Sequence, residues 1–177
     1  MRLQQWSAVG ALVSFALASG AACSSPDPAT RQDSTATMLH MADPRAEKQL
    51  TTGFYPFFGE GRWTQGKFSA ILKPPPTAAR KGALLVLRFG LPETSINALH
   101  AIQVSAAVNG LGLKPETFTK PGEFDYIREV PNAAFNETAT RDSMARVDFA
   151  LDKTMPPHDA ETRELGILVN IVGFEAK

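Results

Sequence analysis

The ten residues AIQVSAAVNG, Ala101 to Gly110, decide the fold class. Ile102, Val104, Ala106 and Val108 alternate with Gln103, Ser105 and Ala107, a period of two that puts the larger apolar side chains on one face of an extended strand. Asn109-Gly110 follows at once, and because both residues tolerate positive φ, the pair predicts a tight hairpin turn. Working outward, the same alternation recurs in Lys67 to Lys73, where Phe68, Ala70 and Leu72 oppose Ser69 and Ile71. It returns in Glu123 to Val130, in Arg146 to Leu151 and in Leu165 to Phe174, with a shorter piece at Phe118. Ala83 to Leu91 is apolar on both faces apart from Arg88 and Gly90, the composition of a central strand covered on two sides.

These segments amount to about seven or eight strands, separated by breakers such as Lys73-Pro-Pro-Pro and Thr119-Lys-Pro-Gly. Only Glu93 to His100, after Pro92, has the makings of one or two helical turns. A parallel α/β sheet needs crossover helices, and none is available. The expectation is an all-β domain over residues 49–177, an antiparallel two-sheet sandwich of jelly-roll type. With 11 Phe and a hydrophobic fraction of 44%, such a domain has the material for a core. The single Cys offers no internal disulfide to help it.

That Cys informs in another way. Residues 1–22 carry one charge, Arg2, then an apolar run from Ala8 to Ala18, then Ser19, Gly20, Ala21 and Ala22. Charged, apolar and small in that order is the pattern of a secretory signal, and the run is short of the ~20 residues needed to cross a bilayer. Small residues immediately before Cys23 resemble the bacterial lipobox, which implies a thioether-linked lipid on Cys23 as the first residue of the mature chain. Ordinary cleavage after an Ala-x-Ala-like site and an uncleaved apolar N-terminus stand as the alternatives. The expected organisation is a signal peptide over 1–22, a lipidated Cys and flexible spacer over 23–48, and the sandwich thereafter. Pro26, Pro28 and Pro44 lie in the spacer among Ser, Thr, Asp and Ala, a composition that buries too little to offset the entropy of ordering. Met38, Leu39 and Met41 are its one apolar cluster. The expected location is outside the cell, membrane-anchored, periplasmic or on the surface.

Lysine plus arginine and aspartate plus glutamate both total 18, so no field of one sign draws the chain to nucleic acid. His40, His100 and His158 have neither H-x-H nor H-E-x-x-H spacing, and no glycine-rich phosphate loop joins a strand to a helix. No G-x-S-x-G turn offers a nucleophile. No metal, no cofactor and no catalytic residue is expected. Among the acids, Glu60, Asp159, Glu161 and Glu164 are the only candidates for a glycosidase-like carboxylate pair, and Arg62, Arg80 and Arg163 nearby read them as ion-pair partners instead.

Two clusters of aromatic and charged residues remain, Gly53 to Trp63 (GFYPFFGEGRW) and His158 to Gly166 (HDAETRELG). Their pattern is Gly53, Phe54, Tyr55, Glu60, Arg62 and Trp63, then Val108-Asn109-Gly110, then Pro157, Asp159, Arg163, Glu164, Leu165 and Gly166. It resembles a β-sandwich accessory module of bacterial envelope proteins that also occurs beside glycosyltransferases. The resemblance covers residues 50–175 and implies a jelly-roll fold similar to carbohydrate-binding modules, associated with surface glycans or their synthesis. It also implies that the first and last strands are neighbours, with Arg163 bonded to Glu60 or to backbone near Trp63 and stacked on the indole. Tyr55, Glu60, Arg62, Trp63 and Arg163 are the candidate site residues. They either brace a loop or, with Trp63, Tyr55 and Phe57 as an aromatic platform on which sugar rings stack, bond hydroxyls through Arg62 and Glu60. The functional expectation is a non-catalytic binding or structural lipoprotein that contacts envelope carbohydrate. Its rival is a module that docks another envelope protein through an exposed sheet edge.

Overall fold

The computed structural model describes residues 35–138, 144–158 and 160–177. The expected signal segment, Cys23, the first part of the spacer and Asp159 lie outside the described residues. Within them the chain forms ten strands. They are β1 (Met38–His40), β2 (Leu50–Phe58), β3 (Gly61–Leu72), β4 (Ala83–Leu91), β5 (Ile102–Val108), β6 (Leu111–Gly112), β7 (Glu116–Phe118), β8 (Gly122–Val130), β9 (Ala145–Leu151) and β10 (Leu168–Ala176). Two short helices, α1 (Ala78–Lys81) and α2 (Glu93–Leu99), sit between strands. All the pairings are antiparallel, in the order β6-β5-β9-β3-β10-β4-β8, with β1 added to β10, β2 to β3 and β7 to β5.

The long strand β3 turns this ladder into two facing sheets. Its C-terminal half runs beside β9, from Lys67 opposite Ala150 to Leu72 opposite Ala145. Its N-terminal half runs beside β10, with Trp63 opposite Leu168 and Arg62 opposite Val169. One sheet therefore carries β2, β9, β5, β6 and β7, the other β10, β4, β8 and β1, and β3 passes from one to the other. The last strand, β10, neighbours β3 at Arg62 and Trp63, while β2, which carries the rest of the opening motif, pairs with β3 instead.

Alternation explains the core. Phe68, Ala70 and Leu72 of β3, Ile102, Val104 and Val108 of β5, and Val147 and Phe149 of β9 are buried on one side. Leu85, Leu87 and Phe89 of β4 and Tyr126 of β8 are buried on the other. Phe68 stacks on Phe149 at 4.9 Å, while Phe89 meets Phe118 edge-on at 5.0 Å and so joins the two sheets. Each such ring removed from water contributes about 2–3 kcal/mol before entropy is counted. The hairpin turn has φ of 47° at Asn109 and 83° at Gly110, the positive pair that its sequence predicts. The open side of the sandwich is closed at Lys114, whose carbonyl accepts hydrogen bonds from the Tyr126 hydroxyl and Arg128 Nε.

The expected spacer is shorter than its composition suggested. Residues 38–40 form β1, and Pro44–Gln49 form a 3-10 helix with Asp43 as its N-cap. Leu39 and Met41 are 3% and 1% exposed, so these two side chains repay the ordering of a polar stretch. The cause is a vacancy in the ladder: β3 leaves β10 beyond Val169, and β1 takes the edge from Ile171 to Gly173. The chain enters the domain beside the C-terminal end of β3, where Lys73 N donates to the Ala36 carbonyl.

Candidate functional site

The two motif clusters meet at the opposite end of β3. Thr64 N and the Thr64 carbonyl bond to Ile167 and Gly166, and the buried Thr64 hydroxyl accepts a further bond from Ile167 N at 3.1 Å. Gly166 must be glycine, because an added Cβ would lie 2.6 Å from Thr64 Oγ1 and 2.7 Å from Leu151 Cδ1. Glu164 Oε1 accepts from Gly66 N at 2.6 Å, and the Tyr55 hydroxyl donates to the Glu164 carbonyl at 2.8 Å. The RELG element is thus sewn to β2 and β3 by backbone and side-chain bonds together.

Of the five candidate residues, the structure gathers three and separates two. Arg163 binds Glu161 through Nε and Nη2 at 2.8 and 2.7 Å, and its guanidinium lies 4.9 Å from the centre of the Tyr55 ring. The expected partners are thereby corrected: the carboxylate is Glu161, not Glu60, and the ring is Tyr55, not Trp63. Local geometry decides it, since residues two apart on an extended chain share a face. Glu60 sits in the exposed turn between β2 and β3. Arg62 is turned inward and 6% exposed, with Nη1 3.4 Å from the Tyr55 carbonyl and Nη2 3.5 Å from Glu47 Oε2. It cannot bond a sugar hydroxyl from there.

Trp63, half-buried, lines a cleft of about 280 Å³ together with Arg163, Glu161, His158, Thr94 and Pro92. The α2 start supplies Pro92, Thr94 and Ser95, and the turn closed by reciprocal His158 and Glu161 backbone bonds supplies the charged wall. The Arg163 bonds hold the Glu161 carboxyl down at about 2, and Glu161 raises Arg163 in return. Both charges persist at any physiological pH. The sequence signal for Glu161 was its spacing from Arg163; nothing in the sequence announced Pro92 or Thr94, which reach the cleft through tertiary folding alone. Among the described residues, no three His, Cys, Asp or Glu side chains are placed to hold a metal ion.

A second depression, of about 570 Å³, lies over the outer face of the β2, β3, β9, β5 and β6 sheet. Ser69, Ser105, Asp148, Arg146 and Lys67 line it, none of which the sequence singled out.

No family model matches the chain, and no curated protein matches it in sequence. Among solved structures it is similar to an acetyl xylan esterase from the rumen bacterium Butyrivibrio proteoclasticus, at 8% identity and a TM-score of 0.45. That likeness covers 81% of this chain but only 34% of the esterase. The carbohydrate-binding module CBM36 in complex with calcium and xylotriose gives 14% identity and a TM-score of 0.43 over 78% of this chain and 99% of the module. A CBM36 domain of a xylanase from the hindgut metagenome of Trinervitermes trinervoides gives 12% and 0.41 over 80% and 97%. Likenesses this distant transfer neither a ligand nor a reaction.

Proposed function

We propose that the chain is a non-catalytic carbohydrate-binding domain, exported and held at a bacterial membrane by a lipid on Cys23, with the cleft beside Trp63 as its sugar site. One observation carries the reading: a half-exposed indole shares a cleft with a carboxylate and a guanidinium that are already locked together. A sugar ring is amphipathic, with a C–H face that packs on an aromatic surface and hydroxyls that bond fixed donors and acceptors. Glu161 and Arg163 offer both kinds at no further ordering cost. They take the role that the sequence reading gave to Glu60 and Arg62.

The same geometry disfavours hydrolysis. A general acid needs a raised pKa, and Glu161 is held at about 2 by Arg163. Glu164 is engaged by the Gly66 N–H. Strand addition to another envelope protein is also disfavoured at β8, whose Glu123, Asp125, Arg128 and Glu129 place charge along that edge.

The test is a glycan array on the full chain beside Trp63→Ala. Binding of at least one glycan by the parent, weakened tenfold or more by Trp63→Ala, is the expected outcome. Equal binding by both proteins, or none by the parent, overturns the sugar site. Mass spectrometry of the mature N-terminus tests the anchor, and an unmodified peptide spanning uncut residues 20–26 overturns it.

A further inference from the structure

The depression on the sheet face shares no lining residue with the Trp63 cleft. Strand register builds it. Thr52, Ser69, Asp148, Ala107 and Gly112 are successive cross-strand partners on β2, β3, β9, β5 and β6. The next row is Lys67, Ala150 and Ser105. Side chains that pair across neighbouring strands lie on the same face, so both rows point away from the core. Ser69 is nevertheless 2% exposed, because Thr51, Thr52 and Arg146 close over it with bonds of 2.8 to 3.3 Å. The face is therefore sunken along its middle, and the trough crosses five strands, about 19 Å at ~4.8 Å per spacing.

Its charge is unequal. Asp148 accepts from Arg146 Nε at 2.8 Å, which neutralises one cation of the pair, while Arg146 stays 54% exposed. Lys67 is exposed, and among the described residues its ammonium has no hydrogen bond or ion pair. The trough thus carries one surplus positive charge beside the hydroxyls of Thr52 and Ser105, on a lining that is otherwise largely apolar. It has no exposed aromatic ring, which single-stranded nucleic acid requires for stacking, and no deep apolar pocket for a peptide anchor.

We propose that this trough is a second ligand site that takes an extended acidic glycan, a chain of linked sugars bearing carboxylates. Lys67 and the exposed side of Arg146 meet the carboxylates, and Thr52 and Ser105 meet the hydroxyls. The site stands independently of the Trp63 cleft.

Affinity electrophoresis of the full chain through gels containing polygalacturonate or neutral hydroxyethyl cellulose tests it. The parent is expected to be retarded by polygalacturonate, and Lys67→Glu and Gly112→Glu to weaken that retardation at least fivefold. An added Cβ at Gly112 meets nothing within 4 Å, so the second variant places a carboxylate at the trough without crowding its neighbours, and circular dichroism of each variant checks that it is folded. Lys81→Glu, an exposed site with the same charge change, and Trp63→Ala should both behave as the parent. Absence of retardation in the parent overturns the proposal, as does equal retardation of all proteins. So does a loss in Lys81→Glu matching that in Lys67→Glu, which would show attraction to net charge alone. A loss confined to Trp63→Ala would move the acidic chain to the other cleft and overturn it as well.

Discussion

From Lys67 to Leu72, β3 alternates Phe68, Ala70 and Leu72 toward the core and runs beside β9 in unbroken register. From Gly61 to Gln65 the same strand buries Arg62 and Thr64, turns Trp63 to a cleft and borrows its partners from a loop and the start of β10. The first half is held by apolar packing, which any well-shaped side chain can supply. The second half is held by particular hydrogen bonds, which only particular atoms can make. Where buried positions carry polar atoms such as those of Thr64, aliphatic packing cannot serve, and stability depends on matched polar pairs.

Three substitutions set the two halves against each other. Phe68→Ala should cost most, about 3–5 kcal/mol by denaturant unfolding, because it removes a buried ring stacked on Phe149 and edge-on to Phe54. A loss under 1 kcal/mol would mean that this half is not governed by packing. Thr64→Val keeps shape and removes one acceptor from the buried Ile167 N–H, for an expected loss of about 2 kcal/mol. Arg62→Met should move stability by no more than about 1 kcal/mol in either direction. Among the described residues its Nε has no hydrogen-bond partner, and Glu47, the carboxylate it meets, is 74% exposed. A loss above that of Thr64→Val would show the guanidinium to be a true structural tie.

The smallest effect concerns pH. Glu161 falls from the ordinary 4.5 to about 2 in the folded chain, so the folded state favours its ionised form. That contribution is complete above pH 4.5 and fades as pH falls toward 2. The melting temperatures of the parent and Glu161→Gln should therefore converge across this window. A gap that stays constant down to pH 2 would remove the Arg163 pair as its cause.

Legibility in the sequence followed the same division. Ala83 to Leu91 and Ala101 to Gly110 were read to within a residue of β4 and of β5 with its turn, because period and turn chemistry are local. Residues 61–66 were not read as strand, since Arg62 and Thr64 break the alternation and their reasons for burial lie at Glu47 and Ile167, far along the chain. Trp63 and Arg163 were singled out by type and do line one cleft, whereas the inward turn of Arg62 was invisible. The sheet-face trough left no trace because its members, such as Ser69 and Asp148, are ordinary solvent-side residues until register aligns them.

The described chain enters the domain at Ala36, beside Lys73 at one end of β3. Trp63 lies nine residues up β3 from Leu72, roughly 30 Å away at ~3.3 Å per residue. One strand thus takes in the chain at its Lys73 end and lines the cleft at its Trp63 end, with no residue common to both.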